Sequence, residues 1–217
     1  MRLSRQLTAV MLLVSVSCGG GEPDDDGGTT GPPPPPGNNP TLGSITTNVS
    51  TVNIGAGATA SIVVTALDAN NKTISSPGTP TFTSASPGIA EVDASGTILG
   101  VSAGATQVTA RLTMGAVTRT ADIAVTVTGA LPSDAAVVAS SGDYIFTPST
   151  VAVQQGGSVT WTFGGLEHTV TFANASGAPA NIDSGYGTAV SRTFGSTGDF
   201  SYVCTIHVGM SGKVIVR

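Results

Sequence analysis

The sequence has 217 residues, of which only 10% are charged and 29 are glycine, and its formal net charge is −5. That acidic balance argues against nucleic acid as a partner, and the length leaves room for one or two domains once the ends are set aside. Thr, Ser, Val and Ala dominate, a composition that suits short strands and tight turns rather than helices, so the expected class is all-β.

The chain opens with the make-up of an export signal. Arg2 and Arg5 form a basic start and Leu7 to Val16 an apolar core of ten residues, too short for a helix to cross a bilayer. Cys18 follows, then Gly19-Gly-Gly-Glu-Pro-Asp-Asp-Asp-Gly, a run with nothing from which to build a core. Residues 1–18 resemble a bacterial lipoprotein leader, in which the cysteine becomes the acylated first residue. Ser15-Val-Ser17 also meets the small-residue requirement of ordinary signal cleavage, so the sequence is compatible with either processing route. The lipoprotein resemblance implies lipidation at Cys18 and a place in the bacterial cell envelope, anchored to a membrane and facing the periplasm or the cell surface. Removal of Arg2 and Arg5 with the leader takes the formal charge to −7.

Residues 19–40 read as a disordered linker, acidic and glycine-rich first, then stiffened by Pro32 to Pro36 into an extended polyproline segment. It is expected to lift folded domains off a membrane, although a merely tolerated spacer has the same composition.

From residue 41 to 129 apolar and polar side chains alternate: Val49, Val52 and Ile54, then Ala60, Ile62 and Val64, then Val92 and Ile98, then Val108 and Ala110, then Ile123, Val125 and Val127. Turn signals at Asp68-Ala-Asn-Asn-Lys72, Ser86-Pro-Gly and Ala94-Ser-Gly96 separate the runs, the pattern of a β-sandwich. The run from Ser84 to Ala110, with Ala90-Glu-Val-Asp93 and later Ala103-Gly-Ala-Thr106, resembles the bacterial immunoglobulin-like group 2 domain, with Phe82 where relatives usually carry Trp. It holds no metal-ligand cluster, nucleophile–base pair or phosphate loop, so it reads as a spacer or a weakly adhesive module, between which fold alone does not choose. Residues 129–143 are expected to join this sandwich to a second, with Pro132 and Gly142 as breakers.

The second domain, 132–217, carries the chemistry. Cys204-Thr-Ile-His207-Val-Gly-Met210 places a thiol, an imidazole and a thioether at steps of three residues, a spacing that lets one loop between two strands wrap them around a single ion. His168, which opens the strand-like run His168-Thr-Val-Thr-Phe172, is the only other histidine in the sequence. Thiolate, two imidazoles and a thioether are the donor set of a mononuclear blue-copper site. Zinc is disfavoured because thioether is not among its usual ligands. The cysteine count agrees, since Cys18 and Cys204 each have a separate use and no disulfide is needed. Trp161, Phe163, Phe172, Phe194, Phe200 and Tyr202 alternate along strand-like runs and are assigned to the core of this domain.

From about Tyr144 to Arg217 the chain resembles the cupredoxin family, and its Cys-x-x-His-x-x-Met loop is most like that of amicyanin. Phe146-Thr-Pro-Ser-Thr-Val-Ala-Val, Gly157-Ser-Val-Thr-Trp-Thr-Phe163, Leu166-Glu-His168-Thr-Val, the run from Arg192 to Cys204 and Gly212-Lys-Val-Ile-Val-Arg217 follow the family's order of strands. The resemblance implies a Greek-key sandwich holding one type 1 copper per chain, with His168, Cys204 and His207 equatorial and Met210 a weak axial ligand. It also implies one-electron transfer to a transient, unidentified redox partner that docks on an apolar rim of Leu166, Ile206, Val208 and Gly209 around His207. Two positions depart from the family. Thr169 stands where many relatives have an Asn that ties the ligand loops together, and Ile206 stands where Pro is common. The Ile206 N–H is therefore free, and the expectation is that it bonds the sulfur and raises the reduction potential.

No catalytic residue is expected, because multicopper oxidases and nitrite reductases need further histidines, and Val203 and Thr205 flank Cys204. The expectation is a monomeric, envelope-anchored electron-transfer protein. The alternatives are copper carriage or storage by the same ligands, and a structural or adhesive envelope role suggested by the immunoglobulin-like half.

Overall fold

The computed structural model describes residues 40–173 and 175–217. The signal segment, Cys18 and the linker up to residue 39 lie outside the described residues. Every regular element among the described residues is a strand, so the fold is all-β.

The first lobe comprises β1 (Leu42–Thr47), β2 (Thr51–Gly55), β3 (Thr59–Ser61), β4 (Val64–Asp68), β5 (Thr81–Ser84), β6 (Ala90–Val92), β7 (Thr97–Gly100), β8 (Gly104–Met114) and β9 (Val117–Thr128). Its spine is the β8–β9 hairpin, in register from Gly104 opposite Val127 to Met114 opposite Val117 across a two-residue turn. Period-two alternation sends Val108, Ala110 and Leu112 inward from β8, and Ile123, Val125 and Val127 inward from β9, while Arg111, Ala124 and Thr126 stay outside. The sheet β2-β9-β8-β5 packs over β3-β7-β6, with Ile62, Ala90 and Ile98 completing the core, and β1 pairs with β4 beside them. The acidic turn residues act as local acceptors. Asp68 Oδ1 takes the N–H groups of Asn70 and Lys72, and Asp93 Oδ1 those of Ser95 and Thr97.

The second lobe comprises β10 (Asp134–Ala139), β11 (Phe146–Thr147), β12 (Thr150–Val153), β13 (Ser158–Phe163), β14 (His168–Phe172), β15 (Ile182–Gly185), β16 (Ala189–Thr193), β17 (Gly198–Val203) and β18 (Ser211–Val216). They form two sheets, β11-β10-β13-β16 and β12-β18-β17-β14-β15. Between them lies a core rich in rings, with Trp161 edge-on to Tyr202 at 5.4 Å and to Phe172 at 6.0 Å between centroids. All six aromatics assigned to this core from the sequence are buried in it, together with Phe146.

The expected joining segment 129–143 is shorter than its composition suggested. Asp134–Ala139 is strand β10, parallel to β13 from Asp134 opposite Ser158 to Ala139 opposite Phe163. Small apolar residues mask the alternation there, yet Val137 and Ala139 point into the ring-rich core. Among the described residues no strand of one lobe pairs with a strand of the other. The lobes meet through side chains: Leu99 and Val101 pack on Ala152 and Ile215, with Leu131 at the margin, and Lys213 Nζ reaches Glu91 at 2.6 Å.

Candidate metal centre

The site forms where β14 begins and β17 ends. His168 is the first residue of β14, opposite Gly185 of β15. A side chain at Gly185 would run into the Phe163 ring, so glycine lets that ring settle against the sheet. Phe163 in turn lies nearly parallel to the His168 imidazole, 6.5 Å between centroids and 23° between planes. His168 is fully buried, and its Nε2 has no hydrogen-bond partner. On that side of the ring, packing against Phe163 sets its orientation. Burial, and secondarily the nearby His207, holds its pKa below the ordinary imidazole value, which favours the neutral form a metal requires.

Cys204 follows β17 directly. Its N–H donates to the Met210 carbonyl at 2.9 Å, and the Met210 N–H donates to the His207 carbonyl at 3.3 Å. The first bond continues the β17–β18 ladder past its last pair, Val203 opposite Ser211, and the second is a turn bond within the loop, so that together they close residues 205–209 compactly. Gly209, at φ 87°, makes the left-handed step the loop needs before Met210 turns back into the core.

The loop and β14 bring the donors together. Cys204 Sγ lies 3.5 Å from His207 Nδ1 and 3.9 Å from His168 Nδ1, and the three ligand atoms lie within 4.8 Å of one another. A metal with nitrogen ligands at about 2.0–2.1 Å and a thiolate at about 2.3 Å, at near-trigonal angles, separates nitrogen from sulfur by roughly 3.6–3.8 Å. The observed spacings straddle that value, so the residues fit a single metal ion. Met210 is buried in the same apolar cluster as Cys204.

Thr169 links the two halves of the site. Its N–H donates to Cys204 Sγ at 3.4 Å, and its hydroxyl accepts the Thr205 N–H at 2.8 Å and lies 3.1 Å from the Thr205 hydroxyl. The departure at Thr169 therefore does not cost the loop-to-loop tie, which is present with the threonine hydroxyl as acceptor. The expected sulfur bond from Ile206 is not: among the described residues the backbone N–H that reaches Sγ is that of Thr169. Ile206 sits on the outer bend of the loop with its side chain half in solvent, because the fold-back from Cys204 to Met210 turns that stretch away from the sulfur.

Residues 133–217 match the family of copper binding proteins described as plastocyanin/azurin. The chloroplastic plastocyanin of Tetradesmus obliquus is 35% identical over 104 residues, covering 41% of this chain and 71% of that protein. The chain belongs to the plastocyanin/azurin family. Among solved structures, a reduced Cu(I) form of an amicyanin mutant is 28% identical, covering 42% of this chain and 84% of that one, with a TM-score of 0.34. The oxidised plastocyanin of Dryopteris crassirhizoma is 24% identical, covering 38% of this chain and all of that one, with a TM-score of 0.35. The cofactor of this plastocyanin/azurin member is copper, and His168, Cys204, His207 and Met210 are arranged as a type 1 site.

Around the site, Leu166, Ile206 and Val208 are exposed as the rim reading anticipated, and Tyr144 and Ile145 are exposed as well. Tyr144 escaped the sequence reading because no local pattern places its ring on the distant His207. Thr205 escaped it too, since the bond it gives to Thr169 comes from a backbone N–H that any residue but proline could supply.

Proposed function

We propose that this plastocyanin/azurin member is an envelope-anchored blue copper protein that carries single electrons between transient partners. The observation that carries the reading is the convergence of the Cys204 thiol with Nδ1 of both histidines, in a pocket closed by Met210. Bound copper supplies a one-electron Cu(II)/Cu(I) couple, and a site of this donor set suits both oxidation states. The chain keeps that site stiff: His168 is fixed by Phe163, Cys204 by the strand ladder, and the two loops by Thr169.

His207 is half-buried beneath the apolar rim of Leu166, Ile206 and Val208, a surface suited to brief apolar docking. Both histidines of the sequence are used by one centre, which supports a carrier rather than an oxidase. In this proposal Cys18 is the acylated anchor, residues 19–40 are the tether, and the first lobe is an immunoglobulin-like module that sets the copper lobe away from the membrane.

The test is the visible spectrum of Cu(II)-loaded chain lacking its leader, residues 19–217, beside its Cys204→Ser variant. An intense thiolate-to-copper band, absent from the variant and bleached by mild reductant, is expected. A pale complex would leave copper carriage as the better reading.

A further inference from the structure

Two non-glycine residues among the described residues have a left-handed backbone, Asn71 at φ 61° and Tyr144 at φ 51°. Asn71 lies in the turn closed by Asp68, where a short polar side chain tolerates that conformation. A bulky tyrosine does not, and a residue so strained persists only where its surroundings over-determine it. At Tyr144 they do. The Ser140 N–H donates to the Ile145 carbonyl at 2.9 Å, and Ser140 Oγ lies within reach of the Gly142 and Asp143 N–H groups at 3.4 and 3.5 Å. The result is a tight turn that delivers the Tyr144 ring onto the His207 imidazole, with centroids 4.5 Å apart and planes tilted by 31°.

His207 is the ligand that most needs such support. His168 is held on a strand in the core, and Cys204 is tied into the ladder on leaving β17. His207 sits in the loop between Ile206 and Val208, both exposed, and touches the His168 ring on its inner side at 4.8 Å. Tyr144 covers the ring from outside and is itself only half-buried, at the surface rather than in the ring-packed core.

We propose that Tyr144 is a positioning residue: the strained turn at residues 140–145 clamps the His207 imidazole in register with Cys204 Sγ and His168 Nδ1 before metal arrives, and slows metal loss afterwards. The inference rests on the copper-site reading above and adds a residue that is not itself one of the four ligands. It makes an unusual demand. Glycine is the residue the backbone prefers at this position, so Tyr144→Gly should relax the fold while loosening the site.

The experiment compares wild type, Tyr144→Gly and Tyr144→Phe in the full chain by three measurements. These are thermal unfolding of metal-free protein, the NMR shifts of the His207 ring protons in metal-free protein, and the rate at which a bidentate Cu(I) chelator strips the reduced protein. Tyr144→Gly is expected to melt no lower than wild type, to lose the ring-current shift at His207, and to release copper about tenfold faster, in the range seen when groups supporting a ligand are removed. Tyr144→Phe is expected to match wild type in all three, because the ring face does the holding. A blue Tyr144→Gly protein that releases copper at the wild-type rate, or that melts well below wild type, overturns the clamp. So does a Tyr144→Phe protein as leaky as the glycine variant. A wild-type protein with no blue band overturns the site reading instead, while the metal-free NMR still decides whether the ring is held.

Discussion

The two lobes use the same strand alternation and differ in what fills them. The first is packed with Ile98, Val108, Ile123, Val125 and Val127, and Phe82 at its margin is its single aromatic. The second is packed with Trp161, Tyr202, Phe146, Phe172, Phe194 and Phe200. Aliphatic side chains suffice to hold two sheets together. Rings do more, because flat faces and edges fix each other's angles, and here the series ends on a ligand: Gly185 seats Phe163, and Phe163 seats His168. A metal site must hold its donors to within about half an ångström, and the ring-packed lobe is the one that has the site.

That contrast can be broken by equivalent damage to each core. Trp161→Ala, at the centre of the second lobe, should destabilise the protein by about 3–5 kcal/mol, and Ile123→Ala in the first by about 2–5 kcal/mol. Denaturant unfolding of the metal-free protein measures both. The sharper readout is the copper spectrum under native conditions. Trp161→Ala should broaden or shift the thiolate band, because Tyr202 and Phe172 lose the ring they meet edge-on, whereas Ile123→Ala should leave the band where it was. Equal spectral effects from the two variants would mean that the rings hold the ligands no better than aliphatic packing does.

A smaller change acts at the junction of the two ligand loops. Thr169→Ala removes the acceptor of the Thr205 N–H while keeping the Thr169 N–H on the sulfur. Copper affinity should fall about 10–100-fold, with a stability loss of about 1 kcal/mol in metal-free protein. Thr169→Ser, which keeps the acceptor, should restore most of the affinity in a competition titration with a chelator of known strength. No rescue by serine would move the role from the hydroxyl to the methyl group.

Legibility from sequence followed the same divide. The ligands were readable because thiol, imidazole and thioether at steps of three residues have few other uses, and the core aromatics because alternation along a strand forces them to one face. What escaped was non-local or carried by the backbone. Strand β10 was hidden because Ala135, Ala136 and Ala139 give little apolar contrast. Ile206 was read as a sulfur donor from its free N–H alone, whereas the direction of that N–H depends on how the loop closes through Cys204 and Met210. Tyr144 lies far from His207 along the chain, and only the turn at Ser140 brings the two rings together.

The smallest effect tests whether the lobes are two independent bodies. Lys213 lies three residues past Met210 on β18, and its Nζ meets Glu91 of the first lobe at 2.6 Å, with both side chains less than one-third exposed. Beside it runs a cleft of about 640 Å³ lined by both lobes, from Glu91 and Asp93 past Ile145 to Gly209 in the ligand loop. The pair therefore connects the first lobe to the strand that ends the copper loop. An ion pair this close to solvent contributes at most about 1 kcal/mol, so single variants are poor probes and a double-mutant cycle is needed. Glu91→Gln, Lys213→Met and the double variant, compared by urea midpoints, should give a coupling of about 0.5–1 kcal/mol that shrinks as salt is raised. Zero coupling at low salt would leave Leu99, Val101, Ala152 and Ile215 as the contact between the lobes, and the strand carrying Lys213 would then feel the first lobe only through apolar packing.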